Sequence, residues 1–342
     1  MKFDIITNNS DFDRISNEWN ELLACCSASS MPFLRYEYLR VWWEMLGGGE
    51  WNHGELCIVT ARDEKENLVG IAPLFFTHND EDLPALLFLG SIEISDYLDL
   101  IASPDILSEF STELFTFLLQ DNTYPWQVID LYNIIETSPS IQAIKDAAKK
   151  HGMNIIQERL QHCPYILLPD NWDTYLANIK KKQRHEIRRK MRRAQESEIP
   201  VQWYIVEDGS NLDKEIDDFL YLMSQEEEKD HFLTEVMQSQ MRSIIHTAFQ
   251  AGWLQLSFLT VGDEKAAGYL NFDFANHIWV YNSGLNYKYR QLSPGWVLLG
   301  HLLKWSIENG RTCFDFMRGD EAYKYRFGGI DRFIMRLKII RN

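Results

Sequence analysis

The chain has 342 residues, a length that suggests two domains, and its 45% hydrophobic, 13% aromatic and 25% charged residues exclude a disordered or low-complexity protein. The formal net charge is −16, and all of it falls in the first half: residues 1–165 hold 10 Lys and Arg against 26 Asp and Glu, whereas residues 166–342 hold 24 of each. That imbalance argues against a broad nucleic-acid footprint such as DNA binding, because phosphates need a positive face.

The amino terminus mixes acids and bases without an apolar core, and no run approaches the roughly 18 apolar residues of a membrane span; a soluble, unexported chain is expected. Five cysteines (Cys25, Cys26, Cys57, Cys163 and Cys313) are scattered without a CxxC pair, which points to a reducing cytoplasm rather than a disulfide framework. Nine histidines show no HExxH or HxH, and no metal is expected.

In chain order, the first half predicts a strand over 3–7, helices over 11–25 and 34–46, strands over 55–61, 68–76 and 85–101, a helix over 104–119, a strand over 126–132, a helix over 138–151 and a strand over 153–159. The join falls near 160–172, where His162-Cys163-Pro164 and Pro169-Asp170-Asn171 break the pattern. The second half predicts a strand over 201–206, helices over 211–228 and 236–251, and a meander of strands over 253–261, 266–275 and 277–284. An apolar helix follows from Pro294 to about Glu308, stopped by Asn309-Gly310, then a strand over 313–316, a short helix over 320–326 and a last strand over 333–340. The halves share element order, not residues. Two domains, 1–165 and 166–342, are expected.

Two charged segments stand out. Within 180–193 (KKKQRHEIRRKMRR) nine of fourteen residues are Lys or Arg, with Leu176, Ile179, Ile187, Met191 and Ala194 at helical spacing on one side. It reads either as a solvated face complementing the acidic half, or as an anion site where Lys181, Arg184, Arg188 and Arg192 meet phosphates of a nucleotide, a lipid-linked saccharide, a tRNA or an anionic membrane. The run Glu226-Glu227-Glu228 with Asp230 and His231 reads as solvated surface.

The turn before the apolar helix carries the chemistry. Ser293 suits an N-cap, Pro294 the first helical position, and Gly295 a close approach of ligand to backbone, with Arg290, Gln291 and Trp296 beside them. A helix N-terminus is an anion site because its first amides lack partners. A strand leading through a polar, Gly-containing turn into an apolar helix resembles the coenzyme A pyrophosphate site of the GNAT superfamily of acyl-CoA N-acyltransferases. Here Arg290-Gln291-Leu292-Ser293-Pro294-Gly295-Trp296 departs from that superfamily's Q/R-x-x-G-x-G/A in having one Gly instead of two.

The wider stretch, with its YNSGLN strand end, SPG turn, FDFMRG strand and following Tyr323-Lys324 pair, resembles the GNAT domain of the CelD-like acetyltransferases of cellulose and exopolysaccharide biosynthesis. The basic 180–193 helix and the first-half segments PFLRYEYLRVWWEML, VGIAPLF and SDYLDL resemble that family too. It is in turn similar to the Fem-type peptidyltransferases, which are built from two GNAT-like units and use aminoacyl-tRNA.

The resemblance implies an α/β (α+β) fold of two tandem GNAT-like units, each a mixed, mostly antiparallel sheet flanked by helices, with acetyl-CoA or another acyl-CoA as co-substrate. It also implies Lys324 as stabiliser of a developing oxyanion. Tyr323 is either core or proton donor to the departing thiolate. Asp96 and Asp99 in SDYLDL are candidates for the base that an attacking amine needs. Tyr281, Arg318, Arg184 and Arg188 are candidates for holding the acceptor. The expected activity is acyl transfer to an amine, such as an amino sugar or a cell-envelope or exopolysaccharide precursor. The alternatives are a tRNA-dependent transferase and a non-catalytic scaffold, with peripheral membrane contact through 180–193.

Overall fold

A computed structural model of the chain describes residues 1–341. The chain divides into two units, Met1–Gln161 together with the segment from Phe333 on, and His162–Arg332. The strands are, in chain order, β1 (Lys2–Ile6), β2 (Glu55–Arg62), β3 (Leu68–His78), β4 (Pro84–Phe88), β5 (Ile101–Ala102), β6 (Val128–Ile135), β7 (Asn154–His162), β8 (Tyr165–Leu167), β9 (Val201–Ile205), β10 (Leu254–Val261), β11 (Glu264–Phe274), β12 (His277–Leu285), β13 (Cys313–Asp315) and β14 (Phe333–Ile340).

The first sheet runs β1-β2-β3-β4-β6-β14-β7 with β5 paired to β3, and the second β8-β13-β12-β11-β10-β9. Both have the same grammar. Four antiparallel strands (β1 to β4, or β9 to β12) are followed by a parallel neighbour, β6 beside β4 and β13 beside β12. Beyond that neighbour lies an antiparallel strand contributed from elsewhere in the chain, β14 in the first sheet and β8 in the second. The expected architecture, two α/β units with mixed and mostly antiparallel sheets flanked by helices, is the one observed.

The expected division at 165 differs in one respect. The strand at the carboxyl end belongs to the first sheet, not the second, because its residues pair with β6 from Ile334↔Ile135 to Ile340↔Val128. An ion pair fixes it there. Between Met335↔Ile134 and Leu337↔Leu131 the register shifts, and Arg336 at that irregularity donates from Nε and Nη2 to the two oxygens of Asp130, both at 2.7 Å. Asp130 is fully buried and also accepts from Asn79 Nδ2 at 2.8 Å. The same guanidinium lies 3.6 Å from Glu158 on β7 and stacks 4.3 Å from the Tyr132 ring centre.

The shift has a second consequence. Asn133 takes a left-handed conformation (φ 62°), which Asn tolerates better than most residues, and its Nδ2 donates to the carbonyls of Ile92 (2.8 Å) and Ser95 (2.7 Å). Its own carbonyl accepts from Leu98 N–H at 3.0 Å. The single strand expected over 85–101 is therefore broken: β4 ends at Phe88, residues 95–100 hang on Asn133 without joining the sheet, and β5 keeps only Ile101–Ala102. The helix expected over 11–25 is likewise two, Asn9–Arg14 and Ser16–Ala24.

In the second unit the helix Pro294–Glu308 buries Val297, Leu298, Leu299, Leu302, Leu303 and Ile307 against β10, β11 and β12. The basic helix, Lys181–Gln195, covers it with Ile187 and Ala194 buried and Met191 set against Gly300. On the other face of the sheet Gly284 is obligatory for packing, since a Cβ there would come within 2.5 Å of the backbone of Leu222 and Met223 in helix Leu212–Met223.

Arg336→Met should destabilise the protein by about 3–5 kcal/mol in urea unfolding, because it strands a buried carboxylate. Adding Asp130→Leu to that variant should recover a substantial part. A single Arg336→Met variant as stable as the parent would mean that β14 is held by backbone pairing and apolar burial alone.

Candidate active site

β12 pairs with β11 along its length but with β13 only over His277, Ile278 and Trp279. From Val280 on, its far edge meets no strand among the described residues. Within this stretch Tyr281 is the extra residue of a bulge, since Leu270 faces Asn282 while Asn271 faces Val280. Side chains serve the edge instead of a strand: Ser283 N–H donates to Asn282 Oδ1 at 2.8 Å, and Ser283 C=O accepts from Lys229 Nζ at 2.7 Å.

The chain then turns. Asn286 Oδ1 accepts from Lys288 N–H at 3.0 Å, a tight helical turn spans Tyr287–Leu292, and Ser293 enters a left-handed conformation (φ 52°, ψ 53°) before the helix starts at Pro294. Ser293 makes no side-chain cap, contrary to the expectation that it would. Among the described residues no side chain accepts from Gly295 N–H or Trp296 N–H. A Cβ on Gly295 would lie 2.8 Å from a methyl of Leu285. The glycine makes room for a pocket wall.

The pocket so formed has a volume of about 330 Å³. Its apolar surface comes from Leu285, Pro294, Trp296 and Leu299, and its polar groups from Ser283, Asn286, Arg290, Ser293, Tyr269 and Tyr323. Tyr269 stands directly across from Ser283 in the β11–β12 register and is only 5% exposed. Burial raises the pKa of both Tyr269 and Tyr323, helped by the charge of Glu321 and, for Tyr323, of Glu226. Both phenols are therefore protonated at neutral pH, and among the described residues neither hydroxyl has a hydrogen-bond partner.

Of the residues expected to hold the donor, Arg290, Ser293, Gly295 and Trp296 meet in this pocket and Gln291 does not. Trp296 also borders a basic cavity of about 350 Å³ lined by Lys182, Gln183, Glu186, Lys190 and Arg326, with Lys190 Nζ 3.8 Å from its ring centre.

Of the residues expected to act, Tyr323 is in the pocket and Lys324 is not. Lys324 is 2% exposed, and its ammonium donates to the carbonyls of Met317 (3.2 Å), Arg318 (2.5 Å) and Gly319 (3.2 Å) while pairing with Glu321 at 2.9 Å. An ammonium has three protons and all are committed, so the expected oxyanion role is replaced by a structural one. Lys324 clamps a turn whose backbone includes Met317 at φ 55° and Gly319 at φ 115°. Arg318 contributes its carbonyl to that clamp.

Tyr281 packs on Phe272, ring centres 5.1 Å apart, outside the pocket. Arg184 donates to the carbonyl of Leu176 at 3.3 Å, and Arg188 lies 3.7 Å from Asp173. Neither lines the pocket.

Asp96 and Asp99 belong to the first unit, each 3% exposed, on the segment hung from Asn133 rather than on a strand. Asp99 accepts from Leu100 N–H at 2.7 Å and from Ser138 Oγ at 2.5 Å, and Ser138 in turn caps helix Pro139–Lys150. Burial pushes the Asp99 carboxyl up to about 6, the bond from Ser138 opposing. A buried carboxylate with both oxygens occupied fixes a helix start and is poorly placed to collect a substrate proton. Among the described residues, no group of three or more His, Cys, Asp or Glu is placed to hold a metal ion.

Sequence reasoning missed Tyr269, Ser283 and Leu299 as pocket residues. Tyr269 and Ser283 meet only through strand register, and no local motif marks that.

Residues 181–325 match the family model described as an acetyltransferase (GNAT) domain. No curated protein sequence matches the chain. Among solved structures, that of FemX is 11% identical, with a TM-score of 0.67 over 100% of this chain and 98% of the other. The C-terminal domain of a lysylphosphatidylglycerol synthetase from Agrobacterium fabrum is 9% identical, with a TM-score of 0.57 over 97% and 92%. A tandem GNAT protein from the clavulanic acid biosynthesis pathway is 12% identical, with a TM-score of 0.51 over 98% of each chain. At such identities the likeness is one of fold: two tandem GNAT-like units. Nothing among these matches singles out the CelD-like family.

Two substitutions test the reassigned residues. Lys324→Met removes the shared donor of three carbonyls and should lower the unfolding free energy by about 3–5 kcal/mol; unchanged thermal stability would return Lys324 to the list of catalytic candidates. For Asp99, the native pKa of about 6 lies above the ordinary aspartate value of 3.8, so its contribution to stability is complete below the lower value and is lost as pH rises through the higher. Asp99→Asn should therefore gain on the parent between pH 4.5 and pH 7.5, by on the order of 3 kcal/mol at most. Parallel urea-stability curves for the two proteins across that range would disprove it.

Proposed function

We propose that the chain is a GNAT-type acyltransferase that moves an acyl group, acetyl in the simplest case, from acyl-CoA to an amine. One observation carries this reading: inside the matched domain, a single pocket joins an open strand edge at Ser283 to a helix N-terminus beside Arg290. A diphosphate fits the second feature, with Arg290 and the amides of Gly295 and Trp296 as donors. The amide-bearing arm of coenzyme A fits the first, lying along β12 as an added strand would. Leu285 and Leu299 offer it apolar walls.

The thioester then lies near Tyr269 and Tyr323. The amine nitrogen, as the free base, attacks the carbonyl carbon, the C–N bond forms and the C–S bond breaks; the Tyr323 phenol gives its proton to the leaving sulfur, and the phenolate so formed takes up the proton that the nitrogen sheds. The acceptor is read as an amino sugar or another cell-envelope or exopolysaccharide amine. Cytoplasm is the proposed location, where five unpaired thiols stay reduced; no helix among the described residues is long and apolar enough to cross a membrane.

A second reading has its own support. The exposed face of Lys181–Gln195, the basic cavity beside Trp296 and the likeness to FemX favour an aminoacyl-tRNA donor. Calorimetry separates the two. Acyl-CoA use predicts CoA binding to the purified chain, and Arg290→Ala should weaken it about 10- to 100-fold, the scale of one charge-assisted hydrogen bond. Melting temperature should not change, because Arg290 is exposed. Equal CoA affinity in parent and variant would remove the donor from this pocket, and retention of aminoacyl-tRNA without CoA binding would favour the second reading.

A further inference from the structure

Trp296 lines two cavities, the pocket that holds Arg290 and Ser283 and the basic one of about 350 Å³. Three elements bring side chains into the second. Lys182, Glu186 and Lys190 recur every four residues along the basic helix Lys181–Gln195, so they form one column on its surface. Arg326 ends the short helix Ala322–Arg326, and Trp296 stands in the first turn of helix Pro294–Glu308. The indole is fixed in place: Phe327 packs on it with ring centres 4.7 Å apart, and Lys190 Nζ lies 3.8 Å from its ring centre.

This cavity is short of negative charge. The one acid among its lining residues, Glu186, is engaged by Arg189, which donates from Nε at 3.0 Å and from Nη2 at 2.8 and 2.9 Å. Lys190 Nζ stands off at 3.6 Å from that carboxylate. Neither Lys182 nor Arg326 pairs with an acid among the described residues. Burial holds the Lys190 pKa below its ordinary value, and the charges of Arg189 and Arg326 add to that shift while Glu186 opposes it. Three cations against one acid leave an excess of two positive charges on the cavity wall.

We propose that the cavity between Lys182, Lys190 and Arg326 is a phosphomonoester site, and that its occupant is the 3′-phosphate of coenzyme A. A phosphomonoester carries about 1.5 to 2 negative charges at neutral pH and three strong acceptor oxygens, which matches the excess on the wall. A nucleic-acid backbone phosphate is a diester with a single charge. In coenzyme A the 3′-phosphate and the 5′-diphosphate hang from the same ribose, so an anion in this cavity and a diphosphate at Arg290, in the pocket that shares Trp296, are joined by one sugar. The proposal rests on the acyl-CoA reading for its occupant and on the cavity for its chemistry. It also narrows the donor to a free coenzyme A thioester, because a pantetheine thioester carried on a protein has no 3′-phosphate.

The test is calorimetric titration of the full-length chain, at one ionic strength, with CoA and with dephospho-CoA, which lacks only the 3′-phosphate. The parent should bind CoA at least about 10-fold more tightly, the scale of one charge-assisted hydrogen bond. Lys182→Gln and Arg326→Gln should each lower that ratio and together abolish it, with dephospho-CoA affinity unchanged; both side chains are exposed, so the fold should not depend on them. Arg193→Gln, which removes the same charge from the same helix outside the cavity, should leave the ratio as it is. Equal affinities in the parent, or a preference that survives the double substitution, overturn the inference and leave the acyl-CoA reading standing. If neither form of the coenzyme binds, the acyl-CoA reading fails, and titration with adenosine 3′,5′-bisphosphate against 5′-AMP decides the site. A preference for the bisphosphate that needs Lys182 and Arg326 upholds a phosphomonoester site, and its absence overturns it. Retention of aminoacyl-tRNA that falls in the double variant, with no monoester preference in the parent, gives the cavity to a nucleic-acid backbone and overturns the proposal as well.

Discussion

β13 pairs with β12 over three residues, while β12 itself is nine residues long. In a sheet, a strand that outruns its neighbour presents unpaired backbone groups, which water, a side chain or a ligand must satisfy. Nearly everything at the candidate site follows from that mismatch. Lys229 reaches the exposed carbonyl of Ser283, the bulge at Tyr281 redirects the strand, and the Asn286 turn starts the next helix beside the bare edge. Had β13 run on for three more residues, the pocket would hold a strand.

The second constraint is the exchange of edge positions. Each sheet completes itself beyond its parallel pair with a strand that does not follow in local sequence, β14 in one case and β8 in the other. Arg336 secures the first of these by filling the register shift with a guanidinium that a fully buried Asp130 neutralises. The same shift bends Asn133 into the left-handed region and so suspends the segment holding Asp96 and Asp99. A residue near the carboxyl end of the chain thus shapes a loop more than two hundred positions earlier.

Much of this was legible in the sequence, and the omissions have physical reasons. Element order emerged because hydrophobic period is a local property, and the 290–296 turn emerged because Pro, Ser and Gly punctuate chains by their own backbone preferences. The destination of β14 did not, as its apolar pattern fits either sheet equally well. Lys324 was read through resemblance as a free charge, whereas its ammonium is consumed by the carbonyls of a turn with two positive-φ residues, a demand that no residue-by-residue pattern announces. Asp99 was rightly noticed as an acid in an apolar stretch, but the partner that explains it, Ser138, caps a helix much later in the chain.

The position of β14 also bears on how the chain is made. During synthesis residues 1–161 emerge first, yet their sheet has a gap between β6 and β7 that only the last strand fills. β6 is buried along its whole length in the finished protein, so until residues 333–340 have been made that strand carries an apolar, unpaired edge, the kind of surface that invites aggregation. The second unit, by contrast, holds all its strands by residue 315. The first unit is therefore completed after the second, and its closure depends on residues 333–340, made after every strand of the other sheet.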